Sequence, residues 1–438
     1  MRTVLVTGPG GSGRTTIASA TALAAARRGR RTLLLSADPL DDLLGTPVGP
    51  EPTRVRDGLW AARTDSGEHF RTELLVFQER AAAGLELLGA RRLEGEELTE
   101  LPGSAEFALL HGLRGAAAGD WDVLVVDMPP LREALAVLAL PEQLRRYLRR
   151  LLPQERQAAR ALRPLMAQLA GVPMPSQWLY ETAARRDTDL AALQSLIEDR
   201  TTTLRLVAEP GPAAAAALRA GRTGAALFGL RVDTLVPNRI LPRHSADPWL
   251  APLIARQRAC LDDWHEQWAP GTALRPVNHL GRDPRGLDDL TELDRGGVPG
   301  DTSGEAPRDT SGEAPRDTSG EAPRDTSGEA SRDTSGSAGL AAGLDDRAPG
   351  PAPDPWRVED QRTEDGLLVW CLPLPGAVKS DVGLVRRNDE LLLTVGPFRR
   401  IVPLPSALRR CTVSGAALTD GELRVRFTPD PGLWPRTD

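Results

Sequence analysis

Residues 3–16 read Thr-Val-Leu-Val-Thr-Gly-Pro-Gly-Gly-Ser-Gly-Arg-Thr-Thr: an apolar run, a glycine-rich turn, then the start of an alanine-rich segment. Gly8, four residues, then Gly13-Arg14-Thr15 is the spacing of a P-loop, with arginine where such loops carry lysine. Backbone N–H groups converging at a helix N-terminus form an anion cradle before any side chain contributes. Gly8, Gly10, Gly11 and Gly13 are expected to curl the backbone around phosphates through positive φ, with Ser12 and Arg14 completing the loop. The Thr15 hydroxyl is suited to Mg²⁺, and Thr16 to capping the helix or touching the α-phosphate. A glycine-rich turn can also exist without a ligand; the register of strand, loop and helix favours nucleotide.

Outward from the loop, further apolar runs at 32–36, 122–127, 204–208 and 232–236 suit parallel strands buried on both faces. Segments rich in Ala, Leu and Arg lie between them, the longest at about 66–118 and 140–200. The expected fold over residues 1–292 is a doubly wound, mostly parallel α/β domain with helical insertions. Two carboxylates close such strands: Asp38 after Thr32–Ser36, and Asp127 after Val123–Val126. Asp38 could orient or deprotonate a water, or merely cap a turn with Pro39. Asp127 suits Mg²⁺ held through water.

Composition narrows the classes. At 438 residues the chain exceeds a single core, and a net charge of −6 argues against nucleic acid as a partner. Lys379 is the one lysine, so arginine at position 14 follows a chain-wide habit. Cys260, Cys371 and Cys411 are scattered, which indicates neither a zinc site nor a disulfide framework and fits a reducing cytoplasm. No long apolar stretch suggests an integral membrane segment.

From Asp301 the octapeptide DTSGEAPR occurs three times, followed by DTSGEASR and a truncated DTSG. With no large apolar residue, the repeat reads as part of a linker over 293–354. Residues 355–428 then show short alternating runs separated by Asp365-Gly366, Asn388-Asp389 and Asp420-Gly421, the pattern of a small β-sandwich. Within 140–200, Leu140, Leu144, Tyr147, Leu148 and Leu151, then Leu162, Leu165, Met166 and Leu169, then Met174, Trp178 and Leu179, follow helical spacing. Helices covering their own core are the plain explanation. Arg145, Arg146, Arg149 and Arg150 are expected on a solvated face or a dimer contact.

GPGGSGRTT (8–16), SADPLDDLLG (36–45), LPGSAEF (101–107), DMPPLREALAVLALPE (127–142) and VPNRILP (236–242) together resemble the arsenite-pump ATPase (ArsA) family. That family also includes the Get-pathway ATPase that delivers tail-anchored membrane proteins. The resemblance implies an ATP- and Mg²⁺-dependent ATPase that sandwiches nucleotide in a dimer, with a helical subdomain that moves on hydrolysis. It implies that Asp38 activates water, Asp127 is the Mg²⁺-linked aspartate, Asn238 reads adenine, and Gly103–Glu106 respond to nucleotide. In the targeting relatives the 140–200 region forms an apolar groove for a client helix. Residues 365–427 resemble the small heat-shock, α-crystallin-like domain appended to some ArsA-like ATPases, without the I-x-I tail of true small heat-shock oligomers.

The departures are specific. Arg14 and Pro9 stand where the family has lysines, the second of which reaches the partner's nucleotide. Met128–Ala136 lacks the family's Thr, Gly, His and Arg, and Asp41 replaces a histidine. Two functions stay open: an ATPase coupling nucleotide state to a protein client or membrane-associated partner, or a pseudo-ATPase acting as an interaction module or as one half of a heterodimer with a paralogue. Scattered thiols exclude arsenite as the expected ligand.

Overall fold

The protein is described from a computed structural model, over residues 1–80, 91–152, 177–243, 245–268, 271–295, 339–341, 344 and 356–434. The N-terminal half alternates β1 (Arg2–Thr7), α1 (Arg14–Arg27), β2 (Thr32–Ser36), α2 (Asp41–Leu44), β3 (Thr53–Arg56), β4 (Leu59–Arg63) and α3 (Ser66–Arg80). It continues with α4 (Ser104–Ala117), β5 (Val123–Asp127), α5 (Leu131–Leu151), α6 (Gln177–Glu198), β6 (Thr202–Ala208) and α7 (Pro212–Phe228). Then come β7 (Val232–Pro237), α8 (Leu250–Trp268), β8 (Ala273–Leu274) and α9 (Gly286–Arg295). The eight strands form one sheet in the order β3-β4-β2-β5-β1-β6-β7-β8, parallel throughout except for β3 against β4.

Helices cover both faces, so β1, β2, β5 and β6 are buried along their whole length, and their centres are mostly apolar on both sides, with Arg205 of β6 a buried exception. Alternate residues nevertheless choose sides. Val4, Val6, Leu34, Val123 and Val125 pack with α1 and α9. Leu5, Leu33, Leu35, Leu124 and Val126 pack with α4, α5 and α6 on the other face. Helix α1 is buried nearly all round, and its alanines let it lie close to the sheet. It ends at Gly29, whose φ of 81° supplies the left-handed turn that most residues resist.

The hairpin β3–β4 was not among the expected strands, although Asp57-Gly58 marks its turn and Gly58 takes φ 77°. Its short, partly exposed β3 has no long apolar run to reveal it.

The C-terminal sandwich pairs a four-stranded sheet with a three-stranded one. The first contains β9 (Arg357–Gln361), β10 (Leu367–Pro373), β14 (Cys411–Thr419) and β15 (Glu422–Pro429). The second contains β11 (Val382–Arg387), β12 (Glu390–Val395) and β13 (Phe398–Pro403), and every pairing is antiparallel. The turn residues act as their types demand: Gly366, Asn388, Asp420 and Gly421 all have positive φ.

The sandwich sits on α5 and α7. Phe398 meets Phe228 edge-on at 6.2 Å. It also fills a notch at Gly224, where a Cβ would come within 2.8 Å of its ring. Arg146 grips Glu390 through two bonds of 2.7 and 2.8 Å, and Arg400 bonds Glu142 at 3.1 Å. Arg145 pairs with Asp187 on α6. Arg149 reaches the same Asp187 at 3.8 Å, so three of the four clustered arginines expected on a solvated face or dimer contact bind within the chain. The sequence could not show this, because their acidic partners lie far along it.

Two features depart from the expected domain limits. Helix α9 runs past 292, and Leu340, Ala341 and Leu344, inside the stretch read as linker, are buried. The candidate groove residues Leu162, Leu165, Met166, Leu169 and Met174 lie outside the described residues.

Candidate functional site

The loop Gly8–Gly13 joins the C-terminal end of β1 to α1, at the edge of the sheet where α/β ligands bind. Its glycines serve different ends. Gly11 and Gly13 take φ of 74° and 86°, whereas Gly8 and Gly10 do not need positive φ. Gly8 is required by proximity: a Cβ there would lie 1.8 Å from the Val207 carbonyl oxygen. A Cβ on Gly10 would meet nothing within 4 Å, so that residue leaves the open side of the loop free. Pro9 has no amide hydrogen to offer.

Ser36, Asp38, Thr15 and Asp127 form a polar chain at the strand ends. Thr15 Oγ1 donates to Asp38 Oδ2 at 3.0 Å, and Ser36 Oγ donates to Asp127 Oδ2 at 2.8 Å. The Asp38 amide donates to Ser36 Oγ at 3.0 Å, which closes the chain. β5 adjoins β1 directly, and β2 lies one strand further out. Both carboxylates are thus brought to the loop, as the sequence predicted.

Their environments differ sharply. Asp38 is exposed, whereas Asp127 is 4 % exposed and its Oδ1 has no hydrogen-bond donor. The Thr15 hydroxyl lies near Asp127 too, but its one proton is directed at Asp38. Burial pushes the Asp127 carboxyl up to about 6, against the opposing pull of the Thr15 and Ser36 hydroxyls and the Arg14 charge. A buried carboxylate oxygen without a donor, beside a threonine hydroxyl and an open anion cradle, is the donor set that a hydrated Mg²⁺ would complete. Among the described residues no cluster of His, Cys, Asp and Glu could hold a metal without such help.

Arg14 does not point along the cradle alone: its Nη1 donates to the Met128 carbonyl, the residue after Asp127. Thr7 Oγ1 donates to the Pro129 carbonyl at 2.7 Å, and the Leu131 amide to the Gly8 carbonyl at 2.9 Å. Segment 127–131, which leads into α5, is thereby tied at three points to the P-loop and the residues flanking it.

On the other flank, Asn238 follows β7 and is 5 % exposed; its Nδ2 donates to the Ser12 carbonyl at 2.8 Å. This amide clamps the back of the loop with one of its two Nδ2 hydrogens. Ser12 is buried and Thr16 lies in the first turn of α1.

A family model for the anion-transporting ATPase ArsA matches residues 1–295, and one for the HSP20-like domain found in ArsA matches 365–427. The chain belongs to the ArsA family. It is 52 % identical over the full length of both chains to an uncharacterised protein of Streptomyces coelicolor. It is 31 % identical to a Mycobacterium tuberculosis protein, covering 99 % of this chain and 97 % of the other. A protein of Aquifex aeolicus, provisionally named an arsenical pump-driving ATPase, is 23 % identical over 97 % of this chain and 99 % of its own length.

Within this ArsA-family chain, sequence reasoning passed over Arg239. It adopts φ 58°, uncommon for a side chain of its size, and sends Nη1 to the Gly11 carbonyl at 3.1 Å and to Glu209 at 3.3 Å. The sequence offered it only as one letter of VPNRILP. Ser36 was also missed, hidden as the last residue of an apolar strand.

A second concavity lies away from the loop. Helices α3, α4, α5 and α6 enclose a cavity of about 550 Å³, lined by Phe70, Phe107, Leu144, Leu148 and Leu193, with Gly103 and Ser104 at its edge. His69 and His111 stack at 4.6 Å on its wall, and burial lowers the His111 pKa, with His69 adding to the effect. Glu73–Arg186 and Arg114–Asp189 ion pairs flank it. No described helix is long and apolar enough to cross a membrane.

Proposed function

We propose that the chain binds ATP with Mg²⁺ at the Gly8–Thr16 loop and couples the nucleotide's state to a protein client held at the helical face. The observation that carries this reading is the chain Ser36–Asp38–Thr15 at the loop, with the buried, donor-less Asp127 oxygen beside it. Gly10, Gly11 and Gly13 leave backbone amides free to take phosphate oxygens, Thr15 and Asp127 would hold the metal (Asp127 through water), and exposed Asp38 would orient the attacking water. Bound Mg²⁺ supplies charge neutralisation on the phosphate oxygens. Segment 127–131 would carry a change at the phosphates into α5, whose Leu144 and Leu148 line the apolar cavity. That cavity, with Gly103 and Ser104 among its lining, is the proposed client site.

A second reading is favoured by Arg14 and Pro9. A guanidinium engaged on the Met128 carbonyl, together with no cation at position 9, fits a chain that binds nucleotide but turns it over only with a paralogous partner. Titration with a fluorescent ATP analogue, with and without Mg²⁺, followed by phosphate release, separates the two. Binding plus release abolished by Asp38→Asn supports the ATPase. Binding without release supports the partner-dependent subunit, and no binding at millimolar nucleotide overturns both.

A further inference from the structure

Helix α9 ends at Arg295, and the chain is next described from Gly339, beside the same helix. The Leu340 amide donates to Asp294 Oδ1 at 2.7 Å. Gly339 lies so close that a Cβ would stand 2.4 Å from that oxygen and 2.6 Å from the Asp294 carbonyl oxygen. Asp294 and Gly339, described residues on either side of 296–338, therefore lie side by side.

The returning segment is not laid on the surface. Leu340, Ala341 and Leu344 are 3, 0 and 3 % exposed, and join the core formed by Ile17, Leu23, Leu290 and Leu293. Polar groups there are arranged around it. Arg205, 1 % exposed on β6, shares a single carboxylate oxygen of Asp233 with Arg2, at 3.1 and 3.4 Å. Its other terminal nitrogen, Nη1, donates to the Leu340 carbonyl at 2.5 Å and to Thr21 Oγ1 at 3.3 Å. Arg28, just beyond α1, donates to the next carbonyl, that of Ala341, at 2.6 Å. A buried guanidinium needs acceptors for its donors, and Asp233 serves Arg205 only through the Oδ2 it shares with Arg2, its Oδ1 taking no bond. The segment supplies the missing acceptor.

We propose that the surface made by α1, α9 and Arg205 is a docking site for residues 339–344 of this same chain. The octapeptide array is then a loop closed at its base on the nucleotide-binding domain, and not a spacer between that domain and the sandwich. The sandwich is tethered by residues 345–355 alone, which reach at most about 40 Å. A tether that short keeps the sandwich at high local concentration for its seat on α5 and α7. The number of DTSGEAPR copies is free to change without altering that reach.

Hydrogen exchange on the full-length protein tests this. Amides of 339–344 are expected to exchange at least about a hundredfold more slowly than in a free peptide of the same sequence. The same protection is expected in a chain lacking residues 301–332. Replacing Leu340→Asp and Leu344→Asp together should abolish protection there while β1 remains protected. Exchange of 339–344 at the free-peptide rate, or loss of protection when the array is removed, overturns the proposal. Should the double variant fail to fold, the parent and the shortened chain still decide the question.

Discussion

Asp127 is the residue on which pH should act. Its carboxyl sits at about 6 against an ordinary value of 3.8, because burial disfavours the charged form. Metal binding needs the anion, so the Mg²⁺-dependent part of nucleotide affinity should fall below pH 6, by up to about tenfold per unit. Asp127→Asn should flatten that profile in an equilibrium titration. In the ligand-free protein the sign reverses. The folded state holds this proton more tightly than the unfolded chain, so the stability it contributes is complete below 3.8 and lost as pH rises through about 6. Asp127→Asn should therefore raise the melting temperature at pH 7.5, with the gap closing toward pH 4. Position 14 makes a second prediction. A lysine cannot reproduce the planar guanidinium's bond to the Met128 carbonyl, and it offers the phosphates a compact charge instead. Arg14→Lys should raise single-turnover phosphate release, by about tenfold or more, in a chain that keeps Thr15, Asp38 and Asp127. Unchanged release would place the limitation elsewhere, with Pro9 the nearest candidate.

At the scale of elements, the loop glycines separate fold from ligand. Gly8→Ala puts a methyl group against a backbone oxygen of β6, which has no rotamer to yield. It should destabilise the sheet edge by about 1–3 kcal/mol, read as a lower denaturation midpoint, as well as weaken nucleotide binding. Gly10→Ala meets no protein atom, so its effect should appear in nucleotide affinity with the midpoint unchanged. The same contrast shows what the sequence could convey. The strands at 32–36 and 122–127 were legible because burial on both faces demands a run of apolar residues. Asp38 and Asp127 were legible because strand-end carboxylates follow those runs directly. Ser36, Arg239 and the Arg205 dock were not, since each acquires its role from a partner distant in sequence. The four loop glycines read alike as letters, and only the packing of Val207 against Gly8, the approach of Asn238 to Gly13 and the positive φ of Gly11 and Gly13 tell them apart.

At the scale of the molecule, α5 is the member common to both halves. Its N-terminus is tied to the loop through Met128, Pro129 and Leu131, and further along Glu142 and Arg146 hold Arg400 and Glu390 of the sandwich. These ion pairs are partly exposed and contribute modestly, so the apolar contact of Phe398 with Phe228 and Gly224 should dominate the seat. Gly224→Val tests this. Its side chain would collide with the Phe398 ring and with Leu135, forcing the sandwich off α7 while leaving both hydrophobic interiors otherwise unaltered. The parent chain should unfold in one calorimetric transition, because Leu135, Leu227, Phe398 and Trp370 belong to one contiguous core. The variant should show two transitions, the earlier shifted down by several degrees. A single transition at the parent's temperature would mean that the seat contributes nothing, and that α5 ends its mechanical role at the helical face.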